Sequence, residues 1–405
     1  MVENGSELLI GIASTDVTPP AGVTLVGYRP RTAEKVAHAL RAEALVCRGG
    51  GGAWALITSD VIGYRREYVQ IVRDRIGEKT GLAADAVLVS GTHTHSGPPT
   101  IAFGRDDQAD ADATCLDELQ DRLVQVVVEA WENASPGSFE TAWTEAPELG
   151  SNRRVEQEDG TWGNEWQDPD GKHPGYYDPT VMLVGVRRPD GTLSALMVNV
   201  GCHPVVLGPS SLEISADYVG YMKDVLEAQG AAETVMFALA GGANINPRLC
   251  IQVGAEHPRS VGEGLARIVA DAVGGLQPVA SGPVASNLTP WTIIRTRDAM
   301  KLKDRPGSGK DEAIHSEIMA LRAGDLGFVA LPGELFSEFN KMLREASPMP
   351  QTVVVSLAND YVGYLPTDEA LAQGAYETHM APADGIEGMI MEHAEWAFAA
   401  VSKKA

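Results

Sequence analysis

Residues 54–98 read WALITSDVIGYRREYVQIVRDRIGEKTGLAADAVLVSGTHTHSGP, and this stretch decides the fold. The apolar run Trp54–Ser59 is a strand that stops at Asp60. In Arg65–Thr80, Val69, Val72 and Ile76 fall on one face of a helix. Ala86–Ser90 is a second buried strand and runs directly into Gly91-Thr92-His93-Thr94-His95-Ser96-Gly97-Pro98. Strand, helix and strand in immediate succession predict an α/β fold of layered mixed sheets with flanking helices.

The same alternation extends in both directions. Upstream, Leu8–Ala13 and Ala42–Cys47 read as strands, separated by the Pro19-Pro20 break. Downstream, Leu116–Trp131 is an amphipathic helix carrying Leu119, Leu123, Val126 and Val127 on its apolar face. Val181–Arg188, a Pro189-Asp190-Gly191 turn and Leu193–Val200 predict a hairpin that delivers Cys202-His203-Pro204. Asp217–Gln229 and Val261–Val273 are predicted helices. Thr234–Ala240 is a strand opening into Gly241-Gly242-Ala243-Asn244-Ile245-Asn246-Pro247. Trp291–Thr296 is a strand, and Lys301–Lys310 a charged loop. Asp325–Leu331 is a strand entering Pro332-Gly333-Glu334, followed by a helix at Phe336–Ala346, a strand at Val353–Leu357 and a terminal helix at Gly385–Val401. Gly150–Asp178 holds Trp162, Trp166, Tyr176 and Tyr177, too aromatic for a passive linker. It is expected to be an ordered loop beside the site, or a small satellite core.

Composition narrows the function. The chain has 405 residues, 44% hydrophobic and 21% charged, with 43 Gly and 24 Pro, as in a loop-rich globular protein. Its net charge of −23 repels phosphate backbones and anionic lipid, which argues against nucleic acid and stable membrane association. Cys47, Cys115, Cys202 and Cys250 have no CxxC spacing and suggest neither a cysteine-ligated zinc nor a disulfide framework. The first residues lack the basic and apolar regions of a signal peptide, and no stretch is long and apolar enough to span a bilayer. A cytoplasmic protein acting on a small molecule is the expectation.

Five predicted strands end in loops that hold polar groups: Asp60, His93 with His95, His203, Asn244 with Asn246, and Glu334. Rigid strands position what such loops present, so repetition at this place suggests one site. Residues alone leave each role open. His93 and His95, two apart, can share a cation or simply bond within a turn. His203 can be a distant ligand or a core histidine. Glu334 suits an anionic ligand or a helix cap. Asn244 and Asn246 can form an Asx turn before Pro247.

Gly91-Thr92-His93-Thr94-His95-Ser96-Gly97-Pro98, Asn199-Val200-Gly201-Cys202-His203, Leu331-Pro332-Gly333-Glu334 and Tyr361-Val362-Gly363-Tyr364 with Tyr376-Glu377 resemble, in order, the site motifs of neutral ceramidases. The matches run from about residue 8 to residue 378. The resemblance implies one zinc ion per chain held by His93, His203, Glu334 and Tyr364, with His95 and Tyr376 lining the site. It likens Asn152-Arg153 to a pair whose arginine faces the substrate, and places His38 and Asp60 near the site.

Two departures stand out. The family's Gly-Asp-Val-Ser-Pro-Asn is here Ala243-Asn244-Ile245-Asn246-Pro247-Arg248, so Asn246 occupies the serine position and a serine acyl-enzyme is excluded. Residues 1–405 are expected to form a single catalytic domain without the family's C-terminal immunoglobulin-like domain. The expected activity is therefore zinc-dependent hydrolysis of the amide bond of a small or polar N-acyl compound by metal-activated water. His95 is expected as general base or proton shuttle, Tyr376 and Arg153 as oxyanion or carboxylate partners, and Asn246 and Asn244 as hydrogen-bond donors. The competing expectations are an esterase or lactonase, a zinc-dependent lyase acting by β-elimination on a carbohydrate-like substrate, and a non-catalytic metabolite-binding protein.

Overall fold

The computed structural model describes residues 7–101, 109–297 and 311–403. The charged loop expected at Lys301–Lys310 lies outside these residues. The mixed α/β expectation holds, with three larger sheets flanked by helices.

In the first sheet, strands β1 (Leu9–Asp16), β2 (Arg41–Gly49), β3 (Gly52–Ser59) and β4 (Val87–Gly91) lie in the order 4-3-2-1. β1, β2 and β3 pair antiparallel, whereas β3 and β4 pair parallel. Their connection is helix α1 (Arg66–Thr80), which buries Val69, Val72 and Ile76 and is closed by Gly81 at φ 77°. A glycine pays no Cβ penalty in that left-handed cap. Helix α2 (Ala109–Glu132) packs on β1 and β2.

The second sheet is built from β5 (Ser138–Glu145), β6 (Thr180–Arg187), β7 (Leu193–Val200) and β8 (Thr234–Leu239), in the order 8-7-6-5. Only β7 and β8 are parallel in it, joined through helix α3 (Asp217–Ala228). Helix α4 (Glu256–Val273) covers α3. The third sheet runs β9 (Val284–Ile294), β10 (Ala313–Ala323), β11 (Leu326–Ala330), β12 (Gln351–Val355). Again only the last two are parallel, joined through helix α5 (Glu338–Ala346). Helices α6 (Asp368–Gln373) and α7 (Ile386–Lys403) follow.

Each sheet thus ends in one parallel edge pair, and the three edges meet. Ser356 N–H donates to Leu239 O at 2.8 Å, tying the end of β12 to β8. Asn359 N–H donates to Val89 O at 2.7 Å, and Gly91 N–H to Leu357 O at 3.4 Å, tying the same segment to β4. Side chains inside the parallel pairs are almost wholly buried, as expected for strands covered on both faces.

Strands β5 and β10 have no counterpart in the sequence reading. The helix expected from Phe336 begins instead at Glu338, because Glu334-Leu335 forms a short parallel pair with Tyr364-Leu365. That pairing puts Glu334 directly opposite Tyr364. Gly150–Asn152 likewise pairs with Ile245–Pro247, which sets Ser151 opposite Asn246 and pins the aromatic loop to that segment.

Candidate metal centre

The ligand candidates leave the C-terminal ends of the three parallel edge pairs. Beyond β4 the chain turns so sharply that a Cβ on Gly91 would sit 2.7 Å from Val61 O. His93 then adopts φ 73°, a left-handed conformation that costs a non-glycine residue about 1–3 kcal/mol. It is held there by its N–H to Val61 O (2.9 Å) and by Nδ1 against Ile62 O (2.7 Å). Beyond β7, a Cβ on Gly201 would sit 1.9 Å from Gly241 O, so only glycine permits this approach to the β8 loop. His203 follows, with Nδ1 2.8 Å from Gly242 O.

A ring nitrogen facing a carbonyl carries a proton, so the tautomer these carbonyls select in His93 and His203 turns the Nε2 lone pair inward. His93 Nε2 lies 3.3 Å from His95 Nε2 and 3.6 Å from Glu334 Oε2. His203 Nε2 lies 3.4 Å from the same Glu334 oxygen, is buried, and makes no hydrogen bond of normal geometry. The donor atoms of His93, His95 and His203 are all within 4.8 Å of one another. Two ligands of one tetrahedral zinc lie about 3.3 Å apart, given metal–ligand bonds near 2.0–2.1 Å. The donor set therefore fits a divalent cation. His95 sits as close to His93 as a further ligand would.

Around this cluster lies a layer of hydrogen bonds. Tyr361 Oη donates to Glu334 Oε1 at 2.7 Å, leaving Oε2 toward the histidines. Burial, then the Arg153 charge, pull His203 down to about 4, so its ring is neutral at physiological pH. Burial and the Glu334 carboxylate push the Tyr364 phenol well above its usual value.

Arg153 is buried beside them. It donates through Nε to Glu377 (2.8 Å), through Nη1 to Asn246 Oδ1 (3.1 Å) and through Nη2 to Tyr364 Oη (3.2 Å). Its guanidinium also lies against the Trp166 ring, 5.1 Å from the centroid. Burial favours protonation of Glu377, but the Arg153 charge and hydrogen bond, helped by Arg154, outweigh it and hold the carboxyl below its ordinary value. Tyr376 is 38% exposed, and its ring meets those of Tyr364 (6.0 Å) and Trp166 (5.3 Å). The aromatic loop does reach the site, through Trp166.

Four sequence candidates have their side chains engaged by other groups of the chain. Asn246 accepts from Arg153 and donates to Trp166 O at 2.9 Å, so it braces two neighbours rather than standing where a nucleophile would be free to act. Asn244 is fully buried and spans Ser337 N–H and the Glu338 carboxylate. Asp60 is fully buried against Lys223 Nζ (2.8 Å) and the Arg41 N–H, a charge pair that leaves it no face for substrate. His38 bonds Asp224 (2.9 Å) and packs on Tyr221 of α3. Conversely, the sequence reading gave no role to Tyr361, Glu377, Tyr28 or Arg31. The first two lie inside quoted motifs and were legible as neighbours. Tyr28 lies between, and Arg31 on, the short paired strands Thr24–Leu25 and Arg31–Thr32, which the sequence did not display.

No family model and no curated protein matches this sequence. Solved structures do. The neutral ceramidase from Pseudomonas aeruginosa superposes with a TM-score of 0.77 at 17% identity, over 98% of this chain and 75% of that one. A ceramidase complexed with C2 gives 0.81 at 15% identity, over 98% and 76%. These identities establish architecture, and the chain has the fold of the neutral ceramidases.

Proposed function

We propose that this chain is a zinc-dependent hydrolase that cleaves the amide bond of a small or polar N-acyl compound. The observation that supports it is the convergence of Nε2 of His93, His95 and His203 with Glu334 Oε2, three of them buried and two with tautomers fixed by backbone carbonyls. Zinc, when bound, supplies Lewis acidity toward a carbonyl and acidifies water at neutral pH. His93, His203 and Glu334 would hold it, with Tyr364 opposite Glu334 in the short parallel pair.

The remaining steps fall to the chain's own groups. His95, partly exposed, would carry the proton from the attacking water toward the leaving nitrogen. Tyr376, with its exposed ring, offers a phenol to the developing oxyanion. Arg153 supplies a fixed positive charge below the aromatic wall, oriented by Glu377. Asn246 is a positioning residue, since both ends of its amide serve Arg153 and Trp166.

Elemental mass spectrometry of the purified protein tests the reading. About one zinc per chain is expected, removable by chelator and absent from a His203→Ala variant. Assays of N-acyl amides in heavy-oxygen water should then place solvent oxygen in the carboxylate product. Failure to take up zinc sinks the proposal, and an unsaturated product without solvent oxygen replaces hydrolysis by elimination. Among the described residues, no helix is long and apolar enough to cross a membrane.

A further inference from the structure

Gly27 to Arg31 lie against the second histidine of the site. Gly27, at φ 94°, is pressed so close to His95 that a Cβ there would lie 2.3 Å from the ring Cγ. The Tyr28 ring meets the His95 ring edge-on at 4.9 Å, and the Arg31 guanidinium sits 5.1 Å from the same Tyr28 ring. Arg31 donates through Nη2 to His95 O at 2.7 Å and through Nε to Ser211 O at 2.9 Å.

Arg31 is only 8% exposed, yet its partners are two carbonyls and an aromatic ring, all neutral. Its Nη1 is buried and makes no hydrogen bond. Burial pulls its pKa below the ordinary arginine value, opposed only by Tyr28. Among the described residues, the buried cations Arg153 and Arg154 share Glu377, and Lys223 has Glu43 and Asp60. A buried charge without a counter-ion is costly, so an anion that reached this guanidinium would relieve that cost. Two buried hydroxyls also make no hydrogen bond: Ser211 Oγ, on the residue whose carbonyl Arg31 binds, and Ser96 Oγ, on the residue after His95. An arginine and two hydroxyls are the donors that a carboxylate takes.

We propose that Arg31, with Ser96 and Ser211, forms a carboxylate-binding subsite beside His95, so that the compound taken by the site bears an acidic group. This rests on the hydrolase reading for the identity of the compound, though not for the binding. In a chain of net charge −23, an internal cation also supplies the local attraction that the surface denies to anions.

The test uses zinc-loaded protein, with Arg31→Met and Arg31→Lys variants. Melting temperature is followed against sodium acetate, with sodium chloride holding ionic strength constant. A saturable, acetate-specific rise is expected in the wild type, absent in Arg31→Met and weakened in Arg31→Lys, which keeps the charge but cannot span both carbonyls. No such rise, or an equal one in Arg31→Met, overturns the subsite. Hydrolysis of an N-acetyl amino acid is then compared with that of the matching N-acetyl amine. The wild type should favour the acidic compound on the order of tenfold to a hundredfold in kcat/KM, the worth of one charge-assisted hydrogen bond. That ratio should fall toward one in Arg31→Met, and a ratio that survives the substitution also overturns the proposal. If acetate responds as expected while neither amide is cleaved, the subsite stands and the amide-hydrolase reading alone fails.

Discussion

Tyr361 and Glu334 form a buried pair in which the phenol donates to Oε1 at 2.7 Å. One carboxylate oxygen is thereby fixed and the other turned to His93 and His203. A partner that orients a ligand without touching the cation typically governs affinity. Tyr361→Phe should keep the fold, since only the hydroxyl is lost, and weaken zinc binding by about 10–100-fold. Competition with a chromogenic chelator measures this, and unchanged affinity would detach Tyr361 from the site.

His203 gives the metal-stripped protein a particular acid sensitivity. Burial, then Arg153, lower its pKa from 6.5 to about 4. The folded state therefore resists protonation that the unfolded chain accepts. Stability from this group is fully present above pH 6.5 and is lost as pH falls toward 4, on the order of 3 kcal/mol in all. Urea titrations in chelator across that window should show the slope, and His203→Gln should flatten it.

Glu377 carries two buried arginines, Arg153 and Arg154. Glu377→Gln keeps the shape but strips both of their counter-charge. Breaking a buried pair from one side costs about 3–5 kcal/mol, so denaturant midpoints should drop sharply. A near-neutral result would mean that the two guanidinium groups relax into water instead.

Restoring a serine at position 246 should not raise turnover. Asn246→Ser removes the acceptor for Arg153 and the donor to Trp166 O, both of which a shorter hydroxyl side chain gives up. Activity should fall, and Trp166 fluorescence should shift as its loop loosens. A gain in rate would argue that this scaffold still runs serine chemistry.

Lys223 tests whether Asp60 is structural. Its ammonium bonds Asp60 and Glu43 at full burial. Lys223→Met leaves two carboxylates facing each other and should destabilise the fold by several kcal/mol. Zinc stoichiometry of the fraction that still folds should be unchanged.

The sequence made local facts legible and non-local ones not. His93, His203 and Glu334 could be found because each follows an apolar run that reads as a strand by itself. That their three strands belong to three different sheets depends on pairings between distant segments, which no window of sequence displays. Strand β10 escaped because Glu317 interrupts its apolar pattern. In the fold that charge is buried against Arg73 of α1 at 2.6 Å, so a seemingly surface residue is internal. The position of Asp60 misled for a related reason. It ends a strand, as the site residues do, but its neutralising partner Lys223 comes from α3, far along the chain. Arg31 was invisible because its significance lies in the carboxylate it lacks.

The meeting of three sheet edges has a mechanical consequence. His93 belongs to the first sheet's edge, His203 to the second's and Glu334 to the third's, so a cation held by all three would act as a rivet through separate plates. Its affinity would then report the spacing of the plates, and a substitution in any one hydrophobic layer could loosen the grip without touching a ligand. In return, chelation should free the edges together, quickening amide exchange at Gly91, Gly201 and Gly333 in a single step.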